Sequence, residues 1–215
     1  MTADLYVQPE PSPCACQKSA RSSSGGIAPC PRRIEIAEAA RKVIVEKGLE
    51  GLRTRDIAER AGINIATLHY HVPTKEALIL AVADSVRAEF IAQDTAHPRD
   101  GMTPAQRLRQ EIEDFQETLL KRQELLQLMS EFMERARRDP LIREIFGQMH
   151  AYWRRSVADI LAAGVADGSF RSDIDPELGA AIFTGALISG ARQSHRYEKG
   201  MTPYLNQLER LFLRP

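Results

Sequence analysis

The chain has 215 residues, of which 43% are hydrophobic and 27% charged, and its Lys+Arg and Asp+Glu totals are equal at 29 each. This composition supports a sizeable core in one or two domains, while the balanced charge excludes a uniformly basic nucleic-acid coat, so any DNA contact must come from a local cluster. No apolar run reaches the roughly 18 residues needed to cross a bilayer, and the first twenty residues lack the basic start and apolar centre of a secretion signal; a cytoplasmic protein without a membrane partner is expected.

Residues 1–32 are rich in Pro, Ser, Gly and Ala without apolar periodicity and are expected to form a disordered tail. All three cysteines, Cys14, Cys16 and Cys30, fall there. A C-A-C pair with one further Cys fourteen residues on is a poor zinc pattern, so the trio is read as solvent-exposed, with no metal site.

From Ile34 onward apolar residues recur at helical spacing and strict alternation is absent, which predicts an all-α fold. A first helix over 33–47 would bury Ile36, Ala40, Val43 and Ile44, with Gly48 just past its end. Thr54 is expected to cap a second helix over 55–61, Gly62 to supply a turn, and Asn64 to cap a third over 65–71. Val72-Pro73 stops that helix and Thr74 caps a fourth, which starts at Lys75. The segment 97–101 marks a break. Beyond it Thr103-Pro104 opens a helix carrying Leu108, Ile112, Phe115 and Leu119. Further helices are expected over 125–138, ended by Asp139-Pro140, then over 141–166, over 177 to about 199, and over 203–213 with Thr202 as cap. The domain reading is a three-helix helix-turn-helix domain over 33–91 and a helical domain over 103–215.

The informative stretch is 54–71, two short helices joined by a turn containing Gly, which is the pattern of a DNA-reading helix-turn-helix. Ala58 must be small where the helices cross, Gly62 must reverse the chain, and Ile57, Ile63 and Leu68 lock the angle. Ile65, Ala66, Thr67, Tyr70 and His71 are left for a groove. Arg53, Arg55, Arg60 and Lys75 supply positive charge, and Asp56, Glu59 and Glu76 are expected to face away. Thr67, His69, Tyr70 and His71 can reach phosphates, Lys75 sits in a helix first turn that attracts anions, and Arg55 suits a bidentate contact to guanine. A helix-turn-helix also serves as plain packing, and an Arg/Lys group as a solvated face. His69 and His71, at i and i+2, lie on different helix faces and do not make a metal pair. No G-x-S-x-G, phosphate-binding loop, dinucleotide fingerprint or H-E-x-x-H occurs, so no catalytic residue, no cofactor and no enzyme activity are expected. An adaptor that keeps this fold without binding DNA is the alternative.

The run G-L-E-G-L-R-T-R-D-I-A-E-R-A-G-I-N-I-A-T-L-H-Y-H-V-P-T-K-E-A-L closely resembles the DNA-binding domain of tetracycline-repressor-type (TetR) regulators, over about residues 31–91. The resemblance implies a homodimer that binds a palindromic double-stranded operator and represses until a small ligand releases it. By position it places Thr54 and Arg55 at the start of the family's second helix, Asn64, Ile65, Ala66 and Thr67 at the front of the recognition helix, and His71 and Lys75 at phosphate contacts. His69 stands where Tyr is usual, Arg53 where a small hydroxyl residue is common, and Val72 where Phe is frequent. Ile65 and Ala66 would meet thymine methyls.

In the C-terminal part, Ala181, Gly185 and Ser189 form a small-residue stripe at i, i+4, i+8. Such a stripe fits a dimer seam or the chain's own core; the family's architecture, in which the last two helices pair across the dimer, assigns it to the seam, with Leu205, Leu208 and Phe212 contributed by the last helix. A ligand pocket is expected among the helices between 103 and 166, lined by Phe115, Leu119, Met129, Phe132, Met133, Phe146, Met149, Tyr152 and Trp153, which otherwise read as plain core. Such a lining favours an apolar or aromatic effector.

Overall fold

The computed structural model describes residues 30–194 and 200–214. They form nine α-helices and one isolated antiparallel bridge, Phe170 to Leu213. Two compact units result, Met1–Ser85 and Val86–Pro215. Residues 1–29 of the tail expected over 1–32, with Cys14 and Cys16, lie outside the described residues.

The first unit holds α1 (Pro31–Lys47), α2 (Thr54–Arg60), α3 (Ile65–His71) and the opening turns of α4 (Lys75–Ala96). Helix α1 starts earlier than its apolar spacing suggests. Pro31 occupies a first-turn position, where a missing N–H costs no bond, so the tail cannot extend to residue 32. Cys30 is half-buried at the N-cap position with its Sγ 3.8 Å from His71 Nδ1, which corrects its reading as a solvent-exposed tail residue. Arg53, not Thr54, holds the N-cap position of α2. Asn64 Oδ1 accepts from Thr67 N at 2.7 Å and Thr74 Oγ1 from Ala77 N at 3.0 Å, so α3 and α4 start where sequence places them. Gly62 has φ +65°, a left-handed turn that a side chain would strain. Ile36, Ala40, Val43, Ile44, Ile57, Ala58 and Leu68 are buried; each large aliphatic side chain among them stabilises the unit by about 1.5–3 kcal/mol.

The second unit comprises the rest of α4 with α5 (Pro104–Lys121), α6 (Gln123–Ala136), α7 (Pro140–Asp167), α8 (Pro176–Arg192) and α9 (Thr202–Arg210). Sequence draws the boundary at the 97–101 break, but α4 runs on to Ala96 and its far half is tied into this unit. Gln93 Nε2 donates to the Asp114 carbonyl at 2.9 Å and Arg122 Nη1 to the Glu89 carbonyl at 3.4 Å. Asp139 starts α7 rather than simply ending α6, its carboxylate accepting from Leu141 N at 3.1 Å. Helix α8 ends at Arg192, and residues 195–199 of its expected extension lie outside the described residues. Thr202 lies inside α9, where its Oγ1 accepts from Gln116 Nε2 at 3.1 Å, and Met201 takes the N-cap position.

The core of this unit gathers Leu108, Ile112, Val157, Leu161, Phe170, Phe183 and Leu187 with Leu205, Leu208 and Phe212 of the C-terminal segment. Helices α8 and α9 meet at Gly190, where a Cβ would lie 2.6 Å from Tyr204 Cε1 and 2.9 Å from Met201 Cε. The Tyr204 ring has little freedom to retreat, because its hydroxyl donates to the Ala186 carbonyl at 2.7 Å. Gly190→Val is therefore expected to destabilise the protein by about 1–3 kcal/mol. Gly147, in α7 with open space around it, is the control: Gly147→Ala should stabilise by up to about 1 kcal/mol through helix propensity alone. Thermal melts of the two variants should move in opposite directions, and equal shifts would contradict the close approach of α8 and α9.

Candidate nucleic-acid interface

Helix α2, with Ala58 buried, is set against α1 by two ion pairs. Arg60 makes a bidentate contact with Glu46, Nη1 to Oε1 at 2.6 Å and Nη2 to Oε2 at 2.7 Å, and Lys47 Nζ lies 2.8 Å from Asp56 Oδ2. These hydrogen bonds hold the Glu46 and Asp56 carboxyls below the usual carboxylate range. Arg60 is thus engaged in bracing α2 on α1, which removes it from the cations that sequence groups for DNA. Asp56 is neutralised locally. Arg53, Arg55 and Lys75 make no ion pair among the described residues.

Those three cations converge. An open groove of about 500 Å³ is lined by Arg53, Thr54 and Arg55 from the start of α2, Leu68 and His69 from α3, and Thr74, Lys75 and Leu78 around the start of α4. Beside it the outer face of α3 is bare: Asn64, Ala66 and His69 are exposed, Ile65 is 45% exposed and Tyr70 58%. Ile65 and Tyr70 thus leave aliphatic and aromatic surface on this helix free to meet a partner. Thr67 is half-buried, its backbone N–H engaged by Asn64. His71 is half-buried behind Tyr70, the two rings edge to face at 5.1 Å. Burial, with Arg32 nearby, lowers the His71 pKa, so at neutral pH it offers a neutral imidazole rather than a cation.

The second unit departs further from expectation. Leu205, Leu208 and Phe212 are 1%, 4% and 4% exposed, buried in their own core and closed to a second chain. The helical period explains the difference, because these three face inward while Leu211, 50% exposed, faces out. On α8 the outward face carries Leu178 and Ile182, 66% and 61% exposed, then Gly185 with open space around it and exposed Ser189; Ala181 is half-buried. Leu178, Ile182, Gly185 and Ser189 follow i, i+4, i+7, i+11, a helical register that a search for small residues alone does not pick out.

The expected pocket lining is largely core. Phe132 and Phe146 are buried and stacked at 3.8 Å between centroids, Phe115 stacks on Trp153 at 6.3 Å, and Leu119 packs against the same core. Met129 and Met149 are half-buried and Tyr152 is exposed. Of the nine, only Met133 borders an open cavity found between α6, α7 and α8, which is lined also by His150, Arg154, Thr184, Ile188 and Arg192.

A polar brace that sequence does not foresee joins the end of α4 to α5 and α7. The Asp114 carboxylate meets His97 Nδ1 at 2.6 Å and accepts from Arg99 Nη2 and Gln110 Nε2, both at 2.8 Å. Buried Glu111 pairs with Arg99 Nη1 at 2.7 Å and accepts from Trp153 Nε1 at 2.9 Å, yet burial still pushes its pKa up. His97, Asp114 and Glu117 bring three donor atoms within 4.8 Å of one another, but Asp114 is already engaged by His97 through one carboxylate oxygen and by the Arg99 cation through the other, and the group reads as a structural brace.

His71 and His150 share one consequence. Both have pKa values lowered mainly by burial. The unfolded chain therefore takes up protons first as pH falls below about 6.5, so stability should drop between about pH 7.5 and 5.5. Melting temperatures across that window should fall less in His150→Gln than in the parent; an identical slope would contradict the burial of the imidazole.

A cation-lined groove beside an exposed seven-residue helix, which follows a second short helix across a glycine turn, is the arrangement of a helix-turn-helix domain. Residues 36–82 match the model for bacterial regulatory proteins of the tetR family, and residues 104–207 match the BetI-type transcriptional repressor C-terminal model. The chain is 28% identical over 150 residues to the transcriptional repressor KstR2 of Rhodococcus jostii, covering 68% of this chain and 72% of that one. It is 34% identical over 89 residues to the class D tetracycline repressor of Escherichia coli, covering 41% and 40%. A transcriptional regulator from Saccharomonospora viridis solved with choline superimposes with TM-score 0.74 at 24% identity, covering 85% of this chain and 98% of that one. Bacillus subtilis FadR with stearoyl-CoA gives 0.70 at 18%, covering 83% and 96%. The chain belongs to the tetR family and is a DNA-binding transcriptional regulator, not an enzyme. No helix among the described residues is long and apolar enough to cross a membrane.

Proposed function

We propose that this protein is a cytoplasmic, ligand-released repressor that binds a palindromic operator as a homodimer. The observation that carries the reading is the convergence of Arg53, Arg55 and Lys75 on one groove beside the bare face of α3. In this reading α3 enters the major groove, with Asn64, Ile65, Ala66 and Tyr70 toward the base edges and apolar contact from Ile65 and Ala66 to thymine methyls. Thr54, Thr67, His69, His71 and Lys75 meet phosphates, Lys75 where the free N–H groups of the first turn of α4 add their own attraction for anions. Arg53 and Arg55 flank the groove, with Arg55 reaching guanine.

One such helix makes too small a contact for tight binding. A dimer makes the second contact effectively intramolecular, for a gain of roughly 10²–10⁴. The exposed face of α8, Leu178, Ile182, Gly185 and Ser189, is the surface we assign to that dimer, with Leu211 of the C-terminal segment replacing Leu205, Leu208 and Phe212. A small effector with an apolar body, bound in the second unit, would release the operator. The test is binding of purified protein to palindromic DNA upstream of its own or a neighbouring gene. Operator affinity should fall steeply between about 50 and 200 mM salt as counterions are released; a salt-insensitive or absent interaction would refute the reading.

A further inference from the structure

Resting on that reading, a cavity of the second unit carries a charge pattern that bears on the chemical class of the effector. It measures about 310 Å³, at the small end for ligand sites. Met133 and Ile188 contribute apolar lining, and Thr184 and Ser189 add hydroxyls. Its charged groups are Arg154 and Arg192, and neither makes an ion pair among the described residues; Arg192 reaches only Ser130 Oγ, at 3.4 Å. Among the described residues, no Asp, Glu, Phe, Tyr or Trp lines it. His150 borders the cavity and its buried Nε2 has no hydrogen-bond partner, a state that buried polar atoms seldom keep.

We propose that this cavity binds a small organic anion, a carboxylate with an apolar body, whose carboxylate is held by Arg154 and Arg192. The planar guanidinium fork matches a carboxylate in bidentate geometry, and such charge-assisted bonds are about twice as strong as neutral ones. A quaternary ammonium such as choline, found in the related Saccharomonospora viridis structure, would require an aromatic face or a carboxylate. This cavity offers it two cations instead. Gly185 and Ser189, exposed on the α8 face, also line the cavity, so a second copy docked there would cover part of the site and link ligand binding to the dimer.

The test is calorimetric titration of the full-length protein with octanoate, decanoate, phenylacetate and indole-3-acetate, with their neutral amides, and with choline and inorganic phosphate. At least one carboxylate should bind saturably and more than about tenfold tighter than its amide, as expected when a charge-assisted bond is exchanged for a neutral one. The Arg154→Gln/Arg192→Gln variant should lose about that factor while remaining dimeric and still shifting operator DNA. Failure of every carboxylate to bind, equal binding of the amide, preference for choline, phosphate binding as tight as the best carboxylate, or an unaffected double variant would overturn the proposal. Operator shift by ligand-free protein is read separately. Operator binding without carboxylate binding defeats this inference alone, while carboxylate binding without operator binding defeats the repressor reading and leaves the site.

Discussion

Ile182→Asp is expected to make the protein monomeric at low micromolar concentration and to abolish tight operator binding. Ile182 is 61% exposed on α8, so the aspartate costs the isolated chain little. At a symmetric seam the same change places two unpaired carboxylates in an apolar contact. An uncompensated buried charge costs on the order of 3–5 kcal/mol, enough to move a micromolar dimer to the millimolar range. Loss of the dimer should then remove the avidity factor of roughly 10²–10⁴ from operator binding, while melting of the first unit is unchanged. Sedimentation equilibrium and an operator titration on one preparation decide it. A variant that stays dimeric would place the seam on another face.

Arg55→Ala and Lys75→Ala are expected to weaken DNA binding in different ways although both side chains line one groove. A bidentate contact from Arg55 to guanine contributes about 1–3 kcal/mol of base discrimination in each half-site. Removing it should lower operator affinity and relax preference at one position of each half-site. Lys75 is assigned to phosphate, so Lys75→Ala should weaken all sequences alike and reduce the salt slope by about one for each phosphate no longer neutralised. The distinction is read by titrating each variant against the operator, a one-base variant of it and unrelated DNA at several salt concentrations. Identical behaviour of the two variants would remove the assigned roles.

The first unit is legible in the sequence because its signals are local. Asn64 and Thr74 cap helices through hydrogen bonds to residues three positions on, and Gly62 sets a turn through its own φ. The bracing pairs Glu46–Arg60 and Lys47–Asp56 are not legible, since they depend on how α1 and α2 cross, and so sequence groups Arg60 with the DNA cations. Cys30 illustrates the same limit: tail-like composition on one side gives no sign that α1 starts at Pro31 and brings the Cys30 Sγ near His71. In the second unit the amphipathic helices are recognisable, but which side of each faces in is set by packing. Met and aromatic residues that suit a pocket fill the core instead, and the cavity falls to residues such as Arg192, Thr184 and Ile188 that periodicity does not mark. The α8 face is the intermediate case. Leu178 and Ile182 share the helical register of Gly185 and Ser189, so the face is readable once apolar residues are followed as well as small ones.

If two copies of this chain read a palindrome with paired α3 helices, the full-length protein should select one from random duplex DNA. Sequencing of the bound fraction, followed by sedimentation velocity of the complex with the selected duplex, shows both halves of that statement at once. The expected result is an inverted repeat whose half-sites meet recognition helices roughly 34–36 Å apart, or a multiple of that spacing, with a whole number of dimers on each duplex. Enrichment of no sequence, or of a single asymmetric site occupied by one chain, would contradict it.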